Sequence, residues 1–326
     1  MAQSPTYNSE QSQDYVHAAC AHQQRGLGGI MSPFTFKTTN HPTTPAKLGS
    51  PVNSGVMERL MDQLGPIEIK TIGADWVANL SGLLNLNDPK AVQAGLKERR
   101  EPIKIFAHVI RHPSQGFFLV DTGVSRRFVS DPEEVGVGWV LRKYAGISDM
   151  KAQQSTKEII EAEGTALKGV FMTHLHLDHV SGLPDIPKDV PIYIGPHEAD
   201  SGLFMNVAVQ GTNDRLLAGR PPLQEFDIPR DADKKFEGVI DIFGDGTLFA
   251  IHSPGHTTGH IALVARTPAG PVLMTGDVCH TRWGWDNGVE PGTFLKERDP
   301  SRKSLFALKA LSERHPNMEV KLGHQL

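Results

Sequence analysis

The segment THLHLDHVSG, residues 173–182, constrains this chain more than any other stretch of its sequence. It places three histidines and one aspartate within the six positions from His174 to His179. The residues just before it, KGVFMT, are mostly apolar and typical of a short buried strand. A cluster this polar does not belong to a packed core, and it is too short to form one face of a helix. Because imidazole and carboxylate groups are common ligands of transition metals, the segment predicts a metal-binding loop at the end of a strand.

Three later strands are followed by residues of the same kinds. His256, Asp277 and His324 each come at or shortly after the end of an apolar segment with the pattern of a strand. A glycine directly precedes each of the three, and glycine lets the backbone turn sharply and approach a ligand closely. Since loops at the ends of strands are where sites are built on rigid supports, we expect these side chains to join the first cluster. The three strands are predicted over residues 247–253, 271–277 and 318–324.

The number of candidate ligands indicates two metal ions rather than one. The set comprises five imidazoles and two carboxylates, which exceeds the ligand number of a single tetrahedral site. These donors suit zinc, iron, manganese or cobalt and disfavour calcium and magnesium. We therefore expect two zinc ions per chain, with iron, manganese or cobalt as alternatives. The candidate ligands are His174, His176, Asp178, His179, His256, Asp277 and His324.

Strand patterns that alternate with helical patterns predict an α/β domain of layered sheets and helices. One helix is expected to begin near Pro196. Another is expected over residues 301–315, where an apolar stripe recurs at helical spacing. That stripe comprises Leu305, Leu308 and Leu311. Further strands are predicted over residues 66–73, 103–110, 116–123, 168–174, 191–195 and 260–266.

Residues 1–64 differ in composition from the rest of the chain. They are rich in Ser, Thr, Gln, Asn, Pro and Gly and show no clear periodicity. We predict that they form an N-terminal extension, partly disordered or wrapped on the body, and that residues 65–326 form the catalytic domain. An extension of this length also leaves room for a homodimer contact.

Charge and apolar pattern argue against several classes of partner. The formal net charge is −4 and the chain has no long basic run, so we expect no nucleic-acid partner. We expect no membrane span, because no stretch of 18 apolar residues occurs. The N-terminus lacks the basic and apolar regions of a secretory signal. The two cysteines, Cys20 and Cys279, lie in unlike contexts, which predicts a reducing, cytoplasmic location without a disulfide framework.

The order of these motifs resembles that of the metallo-β-lactamase superfamily. The pattern H-x-H-x-D-H follows one strand, and G-H, G-D and a final G-H follow later ones, so the match spans roughly residues 66–326. The resemblance implies an αββα four-layer sandwich with a dinuclear metal site at the sheet edge. It also implies a role for each ligand. The first metal would be held by His174, His176 and His256, and the second by Asp178, His179 and His324, with Asp277 bridging both and Asp121 of LVDTG supporting the site without binding metal.

Within that superfamily the chain looks most like the branch that contains N-acyl homoserine lactonases, related esterases and organophosphate hydrolases. The resemblance implies a hydrolase that uses a metal-bridging hydroxide to open lactones or cleave carboxylic esters. Asp178 is then the best candidate for the proton shuttle, and His280 is the second catalytic candidate. The best-known lactonases have a tyrosine soon after the bridging aspartate. Here Val278-Cys279-His280-Thr281 occupies that stretch, which leaves the lactone substrate open.

Aromatic residues in two loops are candidates for the walls of a small-molecule substrate pocket. Trp283, Trp285 and Phe294 follow soon after the bridging aspartate, and Trp139 lies in the segment 124–147. Apolar and aromatic walls around a few polar groups are typical of a small-molecule site. The alternative, which the sequence favours equally, is that these aromatics only pack their loops onto the domain.

Four other functions stay open on the sequence alone. The same hydroxide chemistry could cleave phosphotriesters. The superfamily also includes mononuclear iron sulfur dioxygenases and glyoxalase-type thioester hydrolases. The latter have a C-terminal glutathione-binding domain, which we do not expect because His324 lies almost at the end of the sequence. A degenerate metal-binding module without activity is the last alternative, and the complete ligand set counts against it.

Overall fold

Two β-sheets packed face to face form the centre of this computed structural model, which describes residues 36–202 and 206–326. Its strands are β1 (Thr43–Pro45), β2 (Ser50–Pro51), β3 (Glu68–Asn79), β4 (Arg100–His112), β5 (Gly116–Val120), β6 (Lys151–Ala152), β7 (Leu167–Phe171), β8 (Ile192–Ile194), β9 (Leu223–Glu225), β10 (Gly238–Asp241), β11 (Leu248–His252), β12 (Ile261–Thr267), β13 (Gly270–Met274) and β14 (Glu319–Lys321). The first sheet has the order β1-β9-β8-β7-β5-β4-β3-β6, and the second has the order β14-β13-β12-β11-β10-β2.

The direction of the strands decides where their loops meet. In the first sheet β5, β7, β8 and β9 pair in parallel, so the loops after β7 and β8 leave the sheet at the same edge. The second sheet is antiparallel except that β13 pairs in parallel with β14. The loops after these two strands therefore also leave at one edge, and they hold Asp277 and His324.

Helices cover the outer face of each sheet. The described α-helices are α1 (Ser54–Met61), α2 (Leu80–Leu83), α3 (Pro89–Gln93), α4 (Arg126–Ser130), α5 (Trp139–Tyr144), α6 (Thr156–Glu163), α7 (Leu177–Val180), α8 (Asn206–Leu217), α9 (Arg282–Asn287) and α10 (Arg298–Arg314). No helix in the described part of the chain is both long and apolar enough to span a membrane.

Three apolar clusters hold the layers together. The core between the sheets takes residues from the inner faces of both, including Phe118, Phe171 and Leu263. A second cluster packs α4 to α8 against the first sheet, and a third packs α1, α9 and α10 against the second. Burial of these side chains is the main force that stabilises the arrangement. The layers are helix, sheet, sheet and helix, which confirms the predicted αββα sandwich.

Most predicted elements are present, and one is displaced. Each strand predicted from the sequence overlaps an observed strand, and the predicted stripe Leu305, Leu308 and Leu311 is buried on α10. The helix expected near Pro196 was wrong, because turns follow β8 there and the described helix begins at Asn206. A physical reason is the positive φ of 59° at His197, which a right-handed helix does not allow.

Residues 36–64 belong to the layered body. They form β1, which pairs with β9, and β2, which pairs with β10. They also form α1, whose Met57 and Met61 are fully buried against the second sheet. The compact unit therefore begins at Phe36 rather than at residue 65. The part of the predicted extension that covers residues 1–35 lies outside the described residues.

Candidate metal centre

All seven side chains that the sequence predicts as ligands lie together at one edge of the sandwich. They form two groups, and within each group the ligand atoms lie within 4.8 Å of one another. The three-histidine group consists of His174, His176 and His256, and the mixed group consists of Asp178, His179, Asp277 and His324. His176 and Asp178 are half-buried, and the other five are buried.

Short segments at strand ends position these ligands. His174 follows β7, and α7 begins directly after His176, so that this helix holds Asp178 and His179. His256 lies in the loop between β11 and β12. Asp277 lies in a 3₁₀ turn after β13, and His324 follows β14. The cluster therefore depends on pairing between strands that are far apart in the sequence.

The ring nitrogens of the three-histidine group converge on one point. His256 Nε2 lies 3.0 Å from His174 Nε2 and 2.9 Å from His176 Nδ1. Burial lowers the pKa of His174 and His256 well below the usual value and that of His176 to about 4. The rings are therefore neutral at physiological pH and can direct lone pairs at a cation.

In the mixed group, second hydrogen bonds set the orientation of the rings. His179 donates its Nδ1–H to Asp121 at 2.8 Å, and His324 donates its Nδ1–H to the Lys104 carbonyl at 2.7 Å. Both therefore direct Nε2 at the site, as metal-binding histidines commonly do. Burial alone would lower the pKa of His179, but nearby carboxylates, Asp121 first, raise it well above the usual value. A site that attracts a proton this strongly also attracts a metal cation.

Asp277 lies between the two groups. Its Oδ2 atom is 3.3 Å from His324 Nε2 and 3.4 Å from His179 Nε2 on one side. On the other side it is 3.4 Å from His256 Nε2 and 3.7 Å from His174 Nε2. Although burial favours the neutral acid, the surrounding histidines hold the pKa of Asp277 well below its usual range. One carboxylate oxygen is thus shared by both groups, as a bridging ligand would be.

Unpaired atoms support the same conclusion. Among the described residues, the buried atoms His179 Nε2 and Asp277 Oδ1 have no hydrogen-bond partner. Buried polar atoms are rarely left unpaired, because the loss of solvation is costly. Gly323 permits a further close approach, since a Cβ atom there would lie 2.2 Å from Asp277 Oδ1. Five imidazoles and two carboxylates with these orphaned atoms fit a pair of transition-metal ions.

Two buried groups support the ligands from behind. Asp121 accepts hydrogen bonds from the Thr173 backbone N–H and from His179, both at 2.8 Å, and it has a positive φ of 55°. His260 accepts the Asp277 backbone N–H at 2.9 Å and lies 2.9 Å from the Ser253 hydroxyl. Both ring nitrogens of His260 therefore have hydrogen-bond partners, and this histidine lies outside the ligand groups.

His280 lies closer to the ligands than the sequence alone could show. Its Nδ1–H donates to the Leu83 carbonyl at 3.0 Å, and its Nε2 lies 3.1 Å from Asp277 Oδ2. It also forms a third possible ligand group with His256 and Asp277. Its neighbour Cys279 is a buried free thiol, whereas Cys20 lies outside the described residues.

A cavity of ≈ 340 Å³ opens onto both ligand groups. Its lining includes His176, Asp178, His256, Asp277, His280 and His324. The remaining wall is largely apolar and comes from the β3–β4 hairpin, α5 and the loop after α9, with Trp76, Val77, Ile103, Leu141, Tyr144 and Phe294 among its residues.

Of the four aromatics predicted to line a pocket, Phe294 does so and three lie elsewhere. Trp285 is buried against the second sheet, beneath the Lys309 ammonium. Trp283 packs in a small apolar cluster with Leu80 of α2. Trp139 is 65% exposed on the surface of α5. Trp283 and Trp285 are two positions apart on one helix and so point to different sides of it. For these three, packing and exposure replace the predicted contact with substrate.

Comparison with known proteins places this site in a family. A family model described as the metallo-beta-lactamase superfamily matches residues 101–317. The N-acyl homoserine lactonase AttM of Azorhizobium caulinodans is 30% identical over 231 residues, covering 68% of this chain and 81% of that protein. The gamma-lactamase MBL2 of Gibberella moniliformis is 28% identical over 172 residues, covering 50% of this chain and 70% of that protein.

A similar fold occurs among solved structures. One described as a quorum-quenching N-acyl homoserine lactone lactonase is 16% identical and has a TM-score of 0.57. The similarity covers 82% of this chain and 95% of that one. The family-model match extends over more than half of the chain and includes most of the ligands described above. The chain belongs to the metallo-beta-lactamase superfamily.

Proposed function

We propose that this protein is a dinuclear metal-dependent hydrolase that opens lactones, with N-acyl homoserine lactones as the first substrates to test. The observation that carries the proposal is the position of Asp277 Oδ2, within 3.7 Å of ring nitrogens from both ligand groups at the base of an apolar cavity. Sites with two neighbouring metal ions occur in many hydrolytic enzymes.

The relatives support the choice of substrate class. AttM, 30% identical to this chain, is named as an N-acyl homoserine lactonase. The largely apolar wall suits an acyl chain or an aromatic substituent, and the cavity volume of ≈ 340 Å³ suits a small molecule. We propose zinc as the metal, because neutral imidazoles with carboxylates are preferred zinc ligands.

The protein's own groups would share the catalytic work. Bound metal ions would supply Lewis-acid polarisation of the scissile carbonyl and a water activated at neutral pH. Asp277 and the histidines would hold those ions, and the apolar wall would orient the substrate and exclude bulk water. His280 Nε2 lies at the cavity surface beside Asp277, where it would contact the bound substrate.

Asp178 is the proposed proton carrier. Its Oδ2 atom lies 3.4 Å from His324 Nε2 and 3.6 Å from His179 Nε2, and its side chain is 13% exposed. It therefore reaches both the ligand group and the cavity, from which it would accept a proton from the attacking water and pass it to the leaving alkoxide. The leaving oxygen stays attached to the product, because ring opening of a lactone gives one hydroxy acid.

A panel of lactones with wild-type protein and Asp178→Asn tests the proposal. Ring opening releases a proton at neutral pH, so the initial rate can be followed with a pH indicator. We expect wild-type protein to open an N-acyl homoserine lactone and Asp178→Asn to lose turnover. No proton release from any lactone by the metal-loaded wild type would contradict the proposal.

A second hydrolytic function has one specific observation in its favour. The gamma-lactamase MBL2 shares 28% identity with this chain over a segment that covers half of it, and lactams differ from lactones only in the leaving atom. A matched γ-lactam in the same panel separates the two substrates.

The same panel tests the remaining alternatives. Turnover of an aryl phosphotriester would indicate organophosphate hydrolysis, and oxygen uptake with about one iron per chain would indicate a sulfur dioxygenase instead. Full metal loading without any turnover would indicate a degenerate binding module.

A further inference from the structure

One fully buried carboxylate near the site has no part in the chemistry proposed above. Glu198 lies in the turn after β8, and its side chain is 0% exposed. Acidic side chains are almost never fully buried unless they are paired. A buried glutamate at this position therefore requires an explanation from its contacts.

Glu198 accepts three hydrogen bonds from two different loops. Its Oε1 accepts the Leu175 backbone N–H at 2.9 Å. Its Oε2 accepts the Thr257 hydroxyl at 2.6 Å and the Gly259 backbone N–H at 3.1 Å. Both carboxylate oxygens are thus occupied, each by a different segment of the chain.

Those two segments hold the whole three-histidine group. Leu175 stands between His174 and His176, and Thr257 directly follows His256. The carboxylate of Glu198 consequently links the segment after β7 to the loop after β11, at positions adjacent to all three ligands. Metal-bound rings need such support because small displacements of a ligand weaken coordination.

The backbone around Glu198 leaves little room for adjustment. A Cβ atom at Gly195 would lie 1.9 Å from the Gly259 carbonyl oxygen. A Cβ atom at Gly259 would lie 2.6 Å from the Cβ of Glu198. The turn after β8 and the loop after β11 are therefore in direct backbone contact. This close packing fixes the distance between the Glu198 carboxylate and its donors in that loop.

The three hydrogen bonds favour a charged carboxylate, whereas burial favours the neutral acid. Burial raises the pKa of Glu198 to about 7, against the effect of its three donors. An amide in its place would direct an N–H group at one of those donors, leaving two buried groups unsatisfied. The side-chain volume would hardly change, so the substitution alters polarity rather than packing.

We propose that Glu198 is a positioning residue that holds the segment after β7 and the loop after β11 at the spacing needed for a metal ion in the three-histidine group. This inference rests on the proposed metal-dependent function of the same site. It adds a determinant of metal affinity whose carboxylate bonds to neighbours of the ligands and does not line the cavity.

The test measures Zn²⁺ affinity in the full-length, metal-free chain by competition with a chromophoric chelator. Glu198→Gln is made in an Asp178→Asn parent, where the three-histidine group is the ligand set left intact. We expect about a 10- to 100-fold weaker Zn²⁺ affinity than in the parent, the usual effect of losing a supporting group. Thr257→Val, which removes one of the three donors, should give a smaller loss in the same direction.

Asp231→Asn is the matched control. Asp231 is also a buried carboxylate that accepts backbone N–H groups, including that of Ser54 at 3.0 Å, but it caps α1 away from the ligands. Its substitution should lower the unfolding temperature and leave Zn²⁺ affinity unchanged. Cobalt(II) absorption of the same variants reports the coordination geometry, which a general loss of stability would not alter.

Several results would overturn the inference. One is unchanged Zn²⁺ affinity in Glu198→Gln, and another is an equal loss in Asp231→Asn. If Glu198→Gln does not fold, unchanged affinity in Thr257→Val has the same meaning. A parent chain that binds no metal would overturn this inference together with the proposed function. Normal metal binding by the wild-type protein without lactone turnover would remove the lactonase proposal alone.

Discussion

His179 donates its Nδ1–H to Asp121 across 2.8 Å, and this bond directs the opposite ring nitrogen at the metal centre. The two residues are far apart in the sequence but meet where β5 and β7 end side by side. The bond fixes the tautomer of a ligand before any metal arrives, so part of the cost of ordering the site is met during folding.

Asp121→Asn should weaken the second metal more than the first. The amide can no longer accept the same set of bonds from His179 and Thr173, so the ring loses its fixed orientation. We expect about a 10- to 100-fold loss of affinity for one of two Zn²⁺ ions, measured by chelator competition. Asp241→Asn, which alters a buried turn carboxylate in the second sheet, is the control and should bind both ions normally. Equal affinities in Asp121→Asn and wild type would contradict the assignment.

His280→Gln should lower turnover without removing metal. His280 lines the cavity and contacts Asp277, but the seven predicted ligands account for both groups without it. If it positions substrate or a proton, kcat should fall by about 10² to 10⁴ while the metal content stays at two ions per chain. Elemental analysis of the purified variant decides between the roles. A fall to one ion per chain would make His280 a ligand and would revise the proposed set.

Phe294→Ala should change substrate preference rather than chemistry. The ring lines the cavity and is packed on Gly82, where an added Cβ would lie 2.3 Å from it. Removing the ring enlarges the cavity, so kcat/KM for a long-chain lactone should rise relative to that for a short-chain lactone. The expected change in this ratio is roughly tenfold, the size of the effect of one methylene group in a hydrophobic pocket. Trp139→Ala, at an exposed position outside the lining, should leave that ratio unchanged. If Trp139→Ala changed the ratio and Phe294→Ala did not, Phe294 would not be part of the substrate-binding wall.

Much of the site is visible in local sequence, because H-x-H-x-D-H concentrates four ligands in one segment and a glycine precedes each of the other three. The partners of those ligands are not visible in this way. Glu198 lies in an ordinary polar turn, and only the pairing of β8 with β7 brings it to Leu175. The cavity wall has the same origin, since Trp76 and Leu141 come from a hairpin and a helix with no shared motif.

The sequence contains a helical signal within residues 36–64 that the polar composition of this segment hides. Met57 and Met61 are one helical turn apart and both face the core, so their spacing indicated a packed helix within residues 36–64. The polar composition of the surrounding residues hides this spacing. The sequence left pocket lining and loop packing equally open for the tryptophans, because whether a tryptophan faces a cavity or a core depends on how its helix lies on the sheet.

Acid should destabilise the fold through a histidine outside the ligand set. Burial lowers the pKa of His108 to about 3, so between this value and its unfolded value near 6.5 the folded chain binds fewer protons than the unfolded chain. The contribution of neutral His108 to the free energy of unfolding is fully present above about pH 6.5. It is lost as the pH falls towards 3, by up to about 1.4 kcal/mol per pH unit.

Urea unfolding of the metal-free protein at about pH 7.5 and about pH 5 measures this effect. His108→Gln should lose less free energy of unfolding between the two pH values than wild type, because it has no proton to gain at that position. His197→Asn, at an exposed histidine with positive φ, should keep the wild-type difference. An unchanged pH dependence in His108→Gln would show that His108 is not a source of acid sensitivity.

The most direct measurement is a titration of the metal-free chain with Zn²⁺ while the opening of an N-acyl homoserine lactone is followed by proton release. If Asp277 bridges two ions in a hydrolytic centre, the rate should stay low at first and reach its plateau at two equivalents per chain. A plateau at one equivalent, or no lactone opening at any metal content, would contradict a dinuclear lactonase.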